Sequence, residues 1–191
     1  KKKPLHLAAF SLALAVCDAL KPNVIWRELK FDKLVGSNLF DGDFFEVSKK
    51  LQARFEHRTR GKGCDVVIGN PPFLSKLTEA AELLNKDAER LRGDLPDKQI
   101  AYLIAEHSME FLNDKGRLCM IQPSGFLYNE KAAGFRKAFI ASHRVDRVLD
   151  FTSIRRLFDG SDPKTVAVVA ARRPPQGQHR IRHLTFRRTL S

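Results

Sequence analysis

The sequence predicts an α/β layered fold with a mostly parallel sheet and an antiparallel strand at its end. Three observations carry that expectation. Apolar strands such as "DVVIG" (65–69) and "RLCMIQP" (117–123) alternate with stretches of helical periodicity. The first of them is an unbroken apolar run, the kind that a parallel sheet buries on both faces. The last two strands, "VDRVLDF" (145–151) and "TVAVVAARR" (165–173), are joined without a helix, which implies an antiparallel pair at the end of the sheet.

The elements follow in order. Leu5, Ala8, Ala9, Leu12, Ala15, Val16 and Ala19 recur at helical spacing, and Pro22 stops the run. Leu34 and Val35 read as a short strand turning into a loop at 36–38. The charged segment 48–63 reads as a solvated connector or short helix, and 75–97 as a mobile, partly helical excursion. A long helix is expected from Asp97, its cap, to Gly116, its C-cap, with Ile100, Leu103, Ile104, Met109, Phe111 and Leu112 turned inward. Another is expected over 129–142. The segment 152–163 reads as a loop, and "RRPPQGQHR" (172–180) as low-complexity tail.

Composition narrows the function. The 191 residues are 43% hydrophobic, enough for one core, and carry a formal charge of +12. Such an excess points to a polyanionic partner, nucleic acid before an anionic membrane. The three cysteines, Cys17, Cys64 and Cys119, show no CxxC spacing, which argues against a disulfide framework or a zinc site and fits a reducing cytoplasm. The six histidines have no ligand spacing, so no metal is expected. The apolar run at 5–20 is too short to span a bilayer and holds Asp18.

The chemistry concentrates at "NPPF", Asn70 to Phe73, directly past the strand 65–69. In doubly wound sheets ligands sit beyond the carboxyl ends of the strands. Pro71 and Pro72 fix φ, remove two backbone donors and leave two carbonyls free, which makes a rigid shelf of acceptors. An exocyclic or amide NH2 is a poor nucleophile because its lone pair is delocalised. Two acceptors gripping its hydrogens, the Asn70 side-chain oxygen and the Pro71 carbonyl, pull the nitrogen toward tetrahedral geometry and expose that lone pair. Phe73 offers a flat face for stacking a planar substrate.

"NPPF" after an apolar strand resembles the catalytic motif of S-adenosylmethionine-dependent amino-methyltransferases, most often those acting on adenine N6 in DNA. Other segments resemble the same family in the same order: "HLAAFSLALAVCDAL" (6–20), "GSNLFDGDFFE" (36–46), "GRLCMIQPSGFL" (116–127) and "VLDFTSIRRLFDGSDPKTVAVVAARR" (148–173). The likeness is to the adenine-specific methylase domains of type I and type IIG restriction-modification enzymes.

The resemblance implies a Rossmann-like class I methyltransferase fold over residues 1–172, with 173–191 as basic tail or linker. It implies S-adenosylmethionine as cofactor, met by Asp43 at its adenine amino group and by Phe44 at its ring. It implies Phe158 as the second ring clamping a flipped adenine; Lys76, Arg155, Arg156 and Lys164, which flank that pocket in a strongly basic chain, are the candidate phosphate contacts. The expected partners are double-stranded DNA and a specificity subunit or the remaining domains of a larger chain. The family's glycine-rich cofactor turn has no counterpart here, so the first strands are expected to be missing. A protein-glutamine or ribosomal RNA methyltransferase, and a non-catalytic DNA-binding remnant, are the alternatives.

Overall fold

Short runs of β-branched residues and the helices between them build the structure, a computed structural model that describes residues 3–30, 33–59, 63–154 and 163–187. The chain divides into two compact units, residues 1–47 and 48–191.

In the first unit, α1 (Lys3–Asp18) forms where the helical periodicity lies. Pro22 does more than end a run. It opens α2 (Pro22–Arg27) from the first turn, where its missing N–H is no loss. Leu34 and Val35 do not make a strand; a single bridge joins Val35 to Leu39. Then α3 (Phe44–Thr59) begins, so of the two readings of the charged stretch, solvated connector or short helix, the helix holds through Thr59. Its start has a clear cause. Asp43 Oδ1 accepts the backbone N–H of Phe45 at 2.9 Å and of Glu46 at 3.3 Å, an N-cap that satisfies two orphan donors.

The second unit holds the sheet: β1 (Cys64–Gly69), β2 (Leu112–Pro123), β3 (Arg144–Asp150), β4 (Thr165–Ala171) and β5 (Arg182–Thr185). The spatial order is β1-β2-β4-β3-β5. Pairing is parallel for β1 with β2 and for β3 with β5, and antiparallel for β4 with both neighbours. Four strands therefore run one way and β4 alone runs against them. The antiparallel strand lies between β2 and β3 rather than at the end of the sheet. The edge beyond β3 is taken by β5, which comes from the segment read as basic tail.

Helices α4 (Glu79–Arg92), α5 (Ile100–Ser108), α6 (Gly125–Tyr128) and α7 (Ala133–Ser142) complete this unit. Leu118, Met120, Val145, Val148, Val166 and Val168 are buried with Leu103, Phe126, Phe135 and Phe139 in its core. Tyr102 stacks on Phe135 at 5.3 Å and meets Phe126 edge-on at 5.8 Å.

The expected helix bounds and caps at 97–116 and the expected burial of β1 are corrected. The helix expected over 97–116 ends at Ser108, followed by a 3₁₀ turn at Met109–Phe111. Gly116 lies inside β2, where a Cβ would come within 2.6 Å of the Cys64 carbonyl, so it permits close pairing with β1. Asp97 caps nothing; it sits at φ 50° in the turn Pro96–Lys98, and Gln99 precedes α5. The 75–97 excursion is partly helical, as expected, and its helix is docked: Thr78 Oγ1 caps α4, Ala81 and Asn85 are buried, and Gly93 closes it at φ 81°. Finally, β1 is not buried on both faces. Val66 is 62% and Ile68 75% exposed, and β1 is an edge strand of the sheet.

Candidate active site

The strands that share one direction end along one edge of the sheet. Pro123 of β2 pairs with Thr165, Asp150 of β3 pairs with Val166 and Thr185, and Gly69 closes β1. Asn70 to Phe73 leave β1 at this edge. Asn70 is exposed, Pro71 buried, Pro72 exposed and Phe73 half-buried. Among the described residues the Asn70 amide has no hydrogen-bond partner, so both its donor and its acceptor face solvent. The segment just beyond is fixed from the helical side, where the N–H of Ile100, the first residue of α5, donates to the Leu74 carbonyl at 3.0 Å.

The other candidate residues fall as follows. Lys76 is exposed just beyond the prolines. Lys164 is exposed at the same edge, its carbonyl accepting the Ser124 N–H at 2.9 Å. Arg155, Arg156 and Phe158 lie outside the described residues. Asp43 and Phe44 belong to the first unit. There Asp43 is half-buried as the cap of α3, and Phe44 is half-buried against Phe45, ring centroids 5.2 Å apart and nearly perpendicular.

Residues that the sequence did not single out also gather at the edge. Asp150 is 1% exposed. Its Oδ1 accepts from Thr152 N at 2.9 Å and Thr152 Oγ1 at 2.7 Å, and its Oδ2 accepts from the Tyr128 hydroxyl and lies 3.3 Å from His183 Nε2. Burial alone would raise this carboxyl; the bonds from Tyr128, Thr152 and His183 outweigh it and hold it down at about 2. The Tyr128 phenol is correspondingly pushed up, first by its bond to Asp150. A charged residue closing the apolar strand "VDRVL" was the one available signal, and it gave no hint of the partners.

Buried acceptors without a partner among the described residues also cluster here: Gln99 Oε1, Gln122 Oε1 and Thr165 Oγ1. Gln122, 1% exposed, uses its other end to donate to the Ala101 carbonyl of α5 at 3.2 Å. Among the described residues no group of three or more His, Cys, Asp or Glu could hold a metal, and no helix is long and apolar enough to cross a membrane.

The profile of the Eco57I restriction-modification methylase family matches residues 2–158, most of the chain. The chain belongs to that family. A curated relative from Methanocaldococcus jannaschii, named for a type II restriction enzyme and methyltransferase, is 25% identical over 117 residues, 61% of this chain and 9% of that protein. Among solved structures, the methyltransferase subunit of a type I restriction-modification system from Streptococcus thermophilus superposes with a TM-score of 0.53 at 17% identity, covering 65% of this chain and 26% of that one. A nuclease-deletion mutant of the type ISP restriction-modification enzyme LlaGI, in complex with a DNA substrate mimic, gives 0.52 at 16% identity over 75% of this chain and 16% of that one. A class I S-adenosylmethionine-dependent methyltransferase from Listeria monocytogenes gives 0.50 at 14% identity over 65% of this chain and 37% of that one. The fold is thus that of the class I S-adenosylmethionine-dependent methyltransferases, and the chain spans only a small part of the length of these family relatives.

Proposed function

We propose that the protein methylates the N6 amino group of adenine in DNA, within a restriction-modification system and in the cytoplasm. The observation that carries this reading is Asn70, an exposed and unengaged amide set at the carboxyl end of β1 and followed by a buried proline. Membership in the restriction-modification methylase family supports it.

In this mechanism the target base is swung out of the duplex and its ring lies on Phe73. The Asn70 side-chain oxygen and the Pro71 carbonyl accept the two amino hydrogens and draw the nitrogen toward tetrahedral geometry. The prolines hold the Pro71 carbonyl and the backbone that carries Asn70, and the contact is strongest where the nitrogen is most nearly tetrahedral, in the transition state. S-adenosylmethionine supplies an electrophilic methyl group when bound.

The residues proposed for that cofactor fit it in one respect that can be checked. Asp43 commits Oδ1 to the cap of α3, while Oδ2 has no partner among the described residues, leaving one acceptor for an adenine amino group. Half-buried Phe44 is the neighbouring ring. Lys76 and Lys164, with Arg155 and Arg156, are the proposed phosphate contacts, and Phe158 the proposed second ring on the target base. The catalytic portion is read as residues 1–172, and its further partners as a specificity subunit or other domains of a larger protein.

Incubating the protein with radiolabelled S-adenosylmethionine and unmethylated DNA, then digesting the DNA to nucleosides, tests this. Label should elute with N6-methyldeoxyadenosine. Label found instead in a protein glutamine or in RNA would replace the reading, and no transfer to any of them would leave a non-catalytic module.

A further inference from the structure

Tyr128 ends α6 and is 60% exposed as a residue, yet its hydroxyl is not free, because it donates to Asp150 Oδ2. Asp150 is itself held on both oxygens. It is 1% exposed and bonded to Thr152 on its other oxygen. An exposed tyrosine ordinarily samples several rotamers; this one is tethered at its tip while a flat face stays in solvent. Neither the core nor the methyl-transfer chemistry uses that face.

The ring also stands on the rim that carries Asn70. The adjacent Asn129 donates to Asp97 Oδ2 at 3.0 Å, and Asp97 lies in the turn that leads into α5, whose first N–H holds Leu74. That turn is strained, with Asp97 at φ 50° and Lys98 at φ 48°, and it is held by the bond from Asn129 and by Lys131 at 3.6 Å from Asp97. Lys98 and Lys131 are exposed on this rim.

We propose that Tyr128 is a stacking site for a nucleobase outside the target pocket, one that is unpaired or unstacked next to the flipped adenine. This rests on the reading above that the substrate is DNA. A tethered ring has already given up rotamer freedom, so stacking costs it little further entropy. Lys131 is paired with Asp97, so the charge argument rests on exposed Lys98 and on the chain's formal charge of +12, which favour a polyanionic strand over an apolar protein surface. Stacking tolerates any base, so the site adds affinity without adding sequence preference.

The test is binding of a short single-stranded oligonucleotide and of its abasic counterpart, read by fluorescence anisotropy. The wild type should hold the base-bearing strand more tightly. Tyr128→Ala should lose about 5- to 100-fold on that strand and little on the abasic one. Tyr128→Phe should fall between, since the ring stays and the tether goes. With so exposed a position, circular dichroism should show both variants folded. Equal losses on the two strands, or none, would overturn the stacking site while leaving DNA as substrate. Failure of the wild type to bind either strand would likewise overturn the stacking site, whereas the reading of DNA as substrate stands or falls on the methyl-transfer assay above.

Discussion

The backbone N–H of Ile100 donates to the Leu74 carbonyl at 3.0 Å, so the first residue of α5 holds the segment that follows Asn70–Phe73. Proline is tolerated at a first helical position, which makes this bond removable without breaking the helix. Ile100→Ala and Ile100→Pro both give up the buried side chain, and only the second gives up the N–H. Ile100→Pro should be less stable than Ile100→Ala by about 0.5–1.5 kcal/mol in urea titration, and should transfer methyl more slowly. Equal turnover in the two variants would show that α5 does not position the shelf.

Arg92 offers a second test. Its Nε lies 2.9 Å from both Glu106 oxygens, its Nη2 donates to Asn85 Oδ1 at 2.6 Å, and its guanidinium covers the Phe135 ring at 5.3 Å. Burial is the main influence on Glu106 and leaves its carboxyl raised despite Arg92. Arg92→Met should therefore cost about 3 kcal/mol by stranding a partly buried charge, and Arg92→Met/Glu106→Gln should cost less. The penalty of the single variant should shrink as pH falls and Glu106 takes up a proton. A double variant no better than the single one would contradict this.

Much of this architecture was legible in the sequence. The β-branched runs 65–69, 145–151 and 165–173 mark their strands because nothing else suits them, and the prolines after Gly69 mark the chemically active edge. The end of α5 was not legible, because "LNDKG" with its glycine imitates a helix C-cap, while the decisive contact is Gly116 against the Cys64 carbonyl, far away in sequence. The docking of α4 was hidden for a related reason. It rests on Ala81 and on the polar side chains Asn85 and Arg92, which hydrophobic periodicity does not count. Asp150 needed three separate segments to acquire its partners, so no local pattern could announce it.

That carboxylate sets a pH dependence. Its folded-state pKa is about 2, below the ordinary 3.8 of an aspartate, so it contributes stability that is fully present above about pH 4 and lost as pH falls toward 2. The contribution is on the order of 2 kcal/mol. The melting temperature of Asp150→Asn should lie below that of the wild type at neutral pH, and the gap should narrow below pH 4. A constant gap from pH 7 to pH 2 would mean that the charge of Asp150 is not what the network stabilises.

Gly116→Ala should be destabilising by about 1–3 kcal/mol, since a Cβ there would lie 2.6 Å from a backbone oxygen that cannot move aside freely. Because the strain falls between β1 and β2, amide exchange should quicken first in β1. Wild-type protection in β1 would show that the strand pairing adapts without loss.

The central claim is that Asn70 grips the reacting amino group, and single-turnover methylation by wild type and Asn70→Ala tests it most directly. Asn70 is exposed and unengaged among the described residues, so its loss should leave the melting temperature nearly unchanged. The chemical step should slow by about 10²–10³-fold, as when a preorganised polar contact to a transition state is removed, with little change in DNA affinity. A single-turnover rate for Asn70→Ala near that of the wild type would contradict the mechanism.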